Sequence, residues 1–554
     1  MPKDIPENAS PITRLKTVKT RLLEFDMKLL YPSELLRRLT GRSLVPSYWP
    51  IVALLLGAVV AHSGENKIVL SLQERTVHAL NRLGFGPRPG QVDQVVRMGW
   101  HNWAEQQLYP DIIEDNRLER RLSSEFPSMS MSMEDIYRDY TLRRQSAING
   151  KSIKDLSLEE RREFNKQNNR LRAKLGKELT HSVLVRAVES NRQFQEVMVE
   201  FWRNHLNVYQ KKVKIDCNHY EENVLRKHSF GRFEDLLMAS AKHPAMLAYL
   251  DNRVSKKDGL NENYAREIME LHTLGVDNAY SQKDVIELAR VLTGWTSGRQ
   301  RGRKGDSPTY GFFFNKRNHD MNPVTVVGKT FTGLEGVADG ENAIRHLAGH
   351  EGTAKFISTK LCRYLVNDNP SPRLVNQVAL VFLKTKGDLR KVYRSIIFSA
   401  EFMDPANFKV KFKTPFEFVV SSLRSSGAGI NNPELLSRAI TQMGQGIYQC
   451  DVPTGYSDQA EAWLDPGVLA LRWEYAIRLT QGKLGKRGKN SPVSFSSPQF
   501  ASWQQLPHRE LAEKVADQFL PGSSGERSSA FLEQARDIRG MARLALGSPE
   551  FQQQ

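Results

Sequence analysis

From Leu70 onward, apolar residues recur every three or four positions through most of the chain, the spacing of one buried helix face. In "SLQERTVHALNRLGFG" (71–86), Leu72, Val77, Leu80 and Leu83 share a face and the run stops at glycine. The same style continues through "PGQVDQVVRMGWHNWAEQQLYP" and reaches a strongly amphipathic segment with an aromatic end at 191–208, "NRQFQEVMVEFWRNHLNV". Further helices fit 232–249, 281–294, 352–366, 372–384, 387–399, 415–426, 466–480 and 509–519. This period marks helices rather than strands along most of the chain, so the expected class is all-α, a large multi-helix body. The exception is 309–333, "TYGFFFNKRNHDMNPVTVVGKTFTG", whose β-branched and aromatic runs are broken by Asn, Pro and Gly. It reads as a short β-hairpin or irregular excursion. The polar stretch 127–180 suggests exposed helices or an insertion, and 483–507 a long loop before C-terminal helices.

At 554 residues the chain has room for two to four packed units of about 150 residues each. Hydrophobic content of 40% with 25% charged residues excludes a wholly disordered chain. The net charge of +17 points to anionic partners: nucleic acid, lipid headgroups of a membrane surface, or acidic glycans. The charge is dispersed, with denser runs at Arg299–Lys304 and Lys483–Lys489, both in glycine-containing loops. Three distant cysteines, Cys217, Cys362 and Cys450, form no CxxC pair and allow at most one internal disulfide. No GxSxG, P-loop, GxGxxG, HExxH or zinc-finger signature is present, so nucleophile, nucleotide and zinc-protease chemistry have no positive support.

The N-terminus bears on compartment. After Arg37, Arg38 and Arg42 comes the uncharged apolar run Ile51–Ala61, ending in small residues as a secretory signal does. The expectation is export, to the periplasm or anchored to the inner membrane by residues 45–61. The competing reading is a buried helix of a cytosolic protein. Export argues against nucleic acid as the partner.

Candidate site residues gather in a few polar patches. In "NENYAREIMELHTLGV" (261–276), Asn263, Glu267 and Glu270 fall within roughly 60° of one helix face. Paired carboxylates at that spacing can hold a hard cation or divide acid and base roles, and Arg266 beside them could equally neutralise them. Regular geometry turns His272 about 140° away from Glu267, unless the helix unwinds near Thr273. "FWRNHLNV" places Asn204 and His205 at a helix end, and "KRNHDMNP" places His319 and Asp320 in a loop. Each patch has a structural reading as well: ion pairs between helices, a satisfied core histidine, or turn chemistry.

Taken together, these stretches resemble a bacterial family named as domain of unknown function 1800. The resemblance rests on "LNRLGFGPRPGQVDQV", "FWRNHLNV", "HSFGRFEDLLMASAKHPAMLAYLDN", "NENYAREIMELHTLGVDNAYSQKDVIELARVLTGWT", "NHD", "KTPFEFVVSSLR" and "GYSDQAEAWLDPGVLALRWEYA". It covers roughly residues 72–480, so the organisation reads as signal or anchor (1–61), helical family domain (66–482) and C-terminal helices (483–554). After His319-Asp320 this chain reads "MNPVTVVGKT", where relatives tend to carry a glycine and a lysine. The resemblance implies an exported, mainly helical protein and weights the polar patches toward a site.

Two functional expectations follow. One is a metal- or carboxylate-dependent hydrolase or transferase acting on a polar or anionic envelope polymer. Glu267, Glu270, His319 and Asp320 would be its catalytic groups, Asn204, Asn263 and Arg266 would bind substrate, and His205 and His272 would be ligands of a divalent metal. The other is a non-catalytic envelope scaffold or binding protein whose polar patches form an internal hydrogen-bonded network.

Overall fold

The computed structural model describes residues 69–141, 155–276, 278–300, 309–430, 432–482, 484, 498–523 and 526–554. The apolar segment Ile51–Ala61, most of the basic run 299–304 and nearly all of 483–489 lie outside them. Helices at Gln193–His205, Gln282–Val291, Glu351–Leu365, Pro372–Lys384, Leu389–Ile397, Pro415–Ser425, Pro466–Thr480 and His508–Phe519 occupy the segments where the apolar period places them. Their ends follow side-chain chemistry. Ser71 with Glu74, Ser157 with Glu160, Ser281 with Asp284 and Thr414 with Glu417 form reciprocal capping boxes.

Three local features depart from the periodicity. The single helix expected over 232–249 is two, Phe233–Lys242 and Pro244–Tyr249, because the residue before a proline is pushed to extended geometry. His243 sits there at φ −74°, ψ 137° and accepts the Ala245 N–H on its ring. The strands are two antiparallel pairs: β1 (Trp295–Gln300) with β2 (Thr309–Phe314), and β3 (Val324–Val326) with β4 (Lys329–Phe331). The hairpin expected within 309–333 is thus β3–β4, and the partner of the aromatic run lies upstream of it, at Trp295. Thirdly, the polar stretch 127–180 contributes more than two-thirds of a 32-residue helix, Leu158–Glu189. Its N-terminal turns are exposed and its C-terminal half, from Leu175, is buried against the body.

The described residues from 69 to 554 fall in one compact unit, in which one hydrophobic cluster runs from Ala79 to Phe551. The C-terminal segment is part of it. Helices Pro466–Thr480 and His508–Phe519 both pack on Ile538–Gly547, and the Gln554 N–H donates to the Lys411 carbonyl at 2.8 Å. All three cysteines are buried and free. No described helix is long and apolar enough to cross a membrane.

Candidate functional site

The opening motif begins as an α-helix, Asn263–Glu267, and continues as a π-helical turn, Ile268–His272. A wider turn advances fewer degrees per residue than arithmetic at 3.6 residues per turn assumes, and His272 does not join Glu267. The imidazole instead points inward, 1% exposed, with its ring centroid 6.2 Å from that of His205. His205 ends the Gln193–His205 helix, stacked parallel on Phe201. Its Nε2 lies 3.3 Å from the His272 carbonyl oxygen, which fixes the Nε2–H tautomer. Burial, followed by the Lys360 ammonium, holds His205 well below the usual imidazole range and His272 down to about 3. His205 Nδ1 and His272 Nε2 are buried and have no hydrogen-bond partner among the described residues.

Next to His205, Asn204 grips the "GYSD" loop. Its Nδ2 donates to the Tyr456 carbonyl at 2.8 Å and its Oδ1 accepts the Tyr456 N–H at 2.7 Å. Gly455, at φ +72°, allows this approach, since a Cβ there would lie 2.5 Å from Asn204. Asp458 of the same loop sits 3.5 Å from the Lys360 ammonium. "NHL", His272, Lys360 and "GYSD" therefore meet at one place. Reading the sequence for site residues misses Lys360 and Asp458; the signal available for Asp458 is a polar, glycine-led tetrad ahead of an aromatic helix.

The remaining residues go elsewhere. Arg266 bonds Glu262, Glu270 and Gln282 at 3.2, 3.4 and 2.9 Å in a half-exposed ladder. Asn263 donates to the Leu250 carbonyl, a structural bond. Glu267 accepts no hydrogen bond from a described residue; half-burial, then the Glu270 carboxylate, keep it above the usual range. His319 is buried, with its Nδ1 2.9 Å from the Thr293 carbonyl. Asp320 accepts from Arg290 Nε at 2.7 Å and from the Asn322 backbone N–H at 3.0 Å. Burial opposes ionisation of Asp320, but these hydrogen bonds win and hold it below the usual carboxylate range. Together His319 and Asp320 lock the "LTGW" turn, where a Cβ on Gly294 would meet the Asn315 carbonyl at 2.6 Å.

The nine predicted residues thus separate into three groups: Asn204 with His205 and His272; Asn263 with Arg266, Glu267 and Glu270; and His319 with Asp320. Among the described residues no hydrogen bond or ion pair joins one group to another. Nor is any set of three His, Cys, Asp or Glu side chains placed to hold a metal ion among them. An ammonium beside the His205–His272 pair is also the wrong neighbour for a cation, so these residues do not fit a metal.

A second polar layer backs the first. Arg203 makes a two-pronged pair with Glu221 at 3.0 and 2.6 Å, and Glu221 also accepts the Tyr448 hydroxyl at 2.7 Å. Arg226 grips Glu196 at 2.8 and 2.7 Å. Glu221 and Arg226 belong to another π-helical turn, Glu221–Arg226. The wide turns and buried charges are therefore adjacent features of one interior network, closed by its own members.

Open space lies in a different place. A groove of about 600 Å³ runs between the Leu158–Glu189 helix, the Tyr209–Lys214 segment and the Pro433–Gln442 helix. Arg172, Lys177, Lys211, Lys214 and Arg438 line it against one carboxylate, Glu434, together with the amides of Asn169, Gln210, Gln442 and Gln449. Lys177 and Arg438 both pair with Glu434, at 3.2 and 2.9 Å. Arg172, Lys211 and Lys214 have no carboxylate partner among the described residues. Lys214 centres a γ-turn at φ 66°, ψ −75°, closed by the Ile215 N–H to the Val213 carbonyl at 2.9 Å. That turn is rare and strained for a residue with a Cβ. Gly176 lets Gln210 approach the long helix; a Cβ there would lie 2.6 Å from the Gln210 amide.

Fold and site define a mainly helical protein with a closed polar interior and an open basic groove. Residues 78–553 match the model of the family described as "Protein of unknown function (DUF1800)", and the chain belongs to that family. The matched span extends beyond the 72–480 of the motif resemblance and takes in both the polar stretch 127–180 and the C-terminal helices. No curated protein and no solved structure matches the chain.

Proposed function

We propose that this protein is an exported, non-catalytic binding protein that holds an anionic, polar polymer of the cell envelope in the 600 Å³ groove. The observation that carries the reading is the set of three cations, Arg172, Lys211 and Lys214, which line that groove with no carboxylate partner among the described residues, one of them on a strained turn. Backbone strain survives where surrounding structure enforces it, and it concentrates at ligand-contacting positions. Amides between the cations supply donors and acceptors for hydroxyl groups, a combination suited to an acidic glycan. The net charge of +17 assists association with such a polymer. Export rests on the Arg-flanked apolar run Ile51–Ala61.

The test is equilibrium binding of polygalacturonate, with neutral dextran as control. The wild type should bind the uronate polymer and not dextran, and Arg172→Gln/Lys211→Gln/Lys214→Gln should weaken binding at least tenfold. Equal affinity in the triple variant would contradict the reading, as would no binding by the wild type. A hydrolase or transferase centred on His205, His272, Lys360 and Asp458 is the second reading, favoured by the two bare imidazole nitrogens in the core. Release of product from the same polymer, abolished by Lys360→Met, would favour it over the first.

A further inference from the structure

A separate open cavity of about 370 Å³ is lined by the helix Met133–Asp139, the turn carrying His219, the junction at His243–Pro244 and strand β2. Two imidazoles are in contact on its wall. His219 Nδ1 and His243 Nε2 are 3.0 Å apart and the rings lie nearly parallel. The surrounding bonds decide where the protons are. The Ala245 N–H donates to His243 Nδ1 at 3.1 Å, so that nitrogen carries a lone pair and neutral His243 carries its proton on Nε2. This proton is donated to His219 Nδ1, which leaves the proton of neutral His219 on Nε2. That nitrogen has no hydrogen-bond partner among the described residues and is not sealed in the core. Adding a proton to His219 Nδ1 would set two N–H groups face to face. Burial also disfavours the charged form of both rings. The cavity therefore meets a neutral, fixed N–H donor.

The other walls select among ligands. Glu134 accepts the Tyr310 N–H on one carboxylate oxygen at 3.2 Å, and the second oxygen accepts from no described residue. Lys242 is already paired with Glu341 and lies over the rings of Trp295 and Phe312. A wall with a free carboxylate oxygen and a neutralised ammonium repels anions. Tyr310, stacked on Tyr137 at 4.0 Å, and Phe312 add flat apolar surface. Fixed donor, charged acceptor and aromatic face are the three requirements of a hydroxylated ring with one apolar face.

We propose that this cavity binds a neutral, polyhydroxylated ring, the size of a sugar unit. One ring hydroxyl accepts from His219 Nε2–H, another donates to Glu134, and the C–H face of the ring lies against Tyr310 and Phe312. The proposal is independent of the basic groove, because it requires no anionic ligand and none of the groove residues.

Calorimetric titration of the full chain with the methyl glycosides of glucose, galactose and N-acetylglucosamine, and with the N-acetylglucosamine tetramer, tests it. At least one should bind. Glu134→Gln and His219→Phe should each weaken that binding at least tenfold, whereas Arg172→Gln/Lys211→Gln/Lys214→Gln should leave it unchanged. Glu134→Gln alters a partly exposed group and keeps the bond from Tyr310, so it remains informative if His219→Phe fails to fold. The proposal is overturned if no glycoside binds, if both variants bind as the wild type does, or if inorganic phosphate competes for the cavity.

Discussion

Arg203→Met removes the two hydrogen bonds that hold Glu221, at 3.0 and 2.6 Å, and strands a carboxylate that is 1% exposed; it also removes the guanidinium partner of Glu200. The Tyr448 hydroxyl remains as its partner, and a single neutral donor cannot replace a guanidinium. Breaking one side of a buried pair costs about 3–5 kcal/mol, mostly because the surviving charge is left without compensation. Urea unfolding followed by tryptophan fluorescence should show a loss of that order at neutral pH. Adding Glu221→Gln and Glu200→Gln removes both stranded charges and keeps an acceptor for Tyr448, so the triple variant should recover to within about 1–2 kcal/mol of wild type. The pH dependence has a definite sign. Burial works against ionisation of Glu221, but Arg203 prevails and holds the native carboxyl below its ordinary value. Its stabilising contribution is present above the unfolded-state value of about 4.3 and fades as pH falls through the native one. In Arg203→Met the carboxyl rises and takes up a proton more readily. The deficit of the single variant must therefore shrink on acidification. A loss below about 1 kcal/mol, or a triple variant as unstable as the single, would refute the idea that this network is closed and structural.

Other perturbations read different parts of the interior. Asn204→Ala leaves the Tyr456 N–H and carbonyl unmatched, and should cost about 1–3 kcal/mol with faster proteolytic nicking at the "GYSD" loop. Gly340→Ala sets a Cβ 2.6 Å from the Trp295 ring; a loss of about 1–3 kcal/mol in denaturant unfolding is expected from overpacking. His272 has a native value of about 3, so the unfolded chain binds its proton first and stability falls as pH drops from about 6.5 toward 3. Replacement by Phe should remove up to about 1.4 kcal/mol per pH unit of that slope, measured as the wild-type minus variant difference. Val327 holds φ 45° ahead of Gly328 in the β3–β4 turn, a turn type that favours Asn-Gly, and Val327→Asn should raise the melting temperature.

The helical class was legible because apolar spacing recurs along the chain, and the capping residues seen in the structure agree with it. Ser71, Ser157, Ser281 and Thr414, each with an acidic residue three positions later, mark starts that the structure keeps. What escaped was geometry that period alone cannot encode. The π-helical turn at Ile268–His272 cannot be read from spacing, and β1 is specified by its pairing with β2 rather than by its own glycine-containing sequence. For the site, polar patches in the sequence marked residues that matter to the fold, and spacing could not say that Asp320 would be claimed by Arg290 or Asn204 by Tyr456. The basic groove was invisible for a different reason. Arg172, Lys211 and Lys214 are scattered along the chain and become neighbours only through packing, whereas the dense basic runs at 299–304 and 483–489 drew attention in the sequence.

The salt dependence of polygalacturonate binding tests the central claim most directly, because it counts the charges that meet the polymer. Each cation engaged adds about 0.7 to the slope of log affinity against log salt for a single-stranded polyanion. The account predicts a steep decline for wild type, and a slope shallower by about 2 in Arg172→Gln/Lys211→Gln/Lys214→Gln. Identical slopes for the two proteins would contradict it, since the polymer would then be bound somewhere other than the groove.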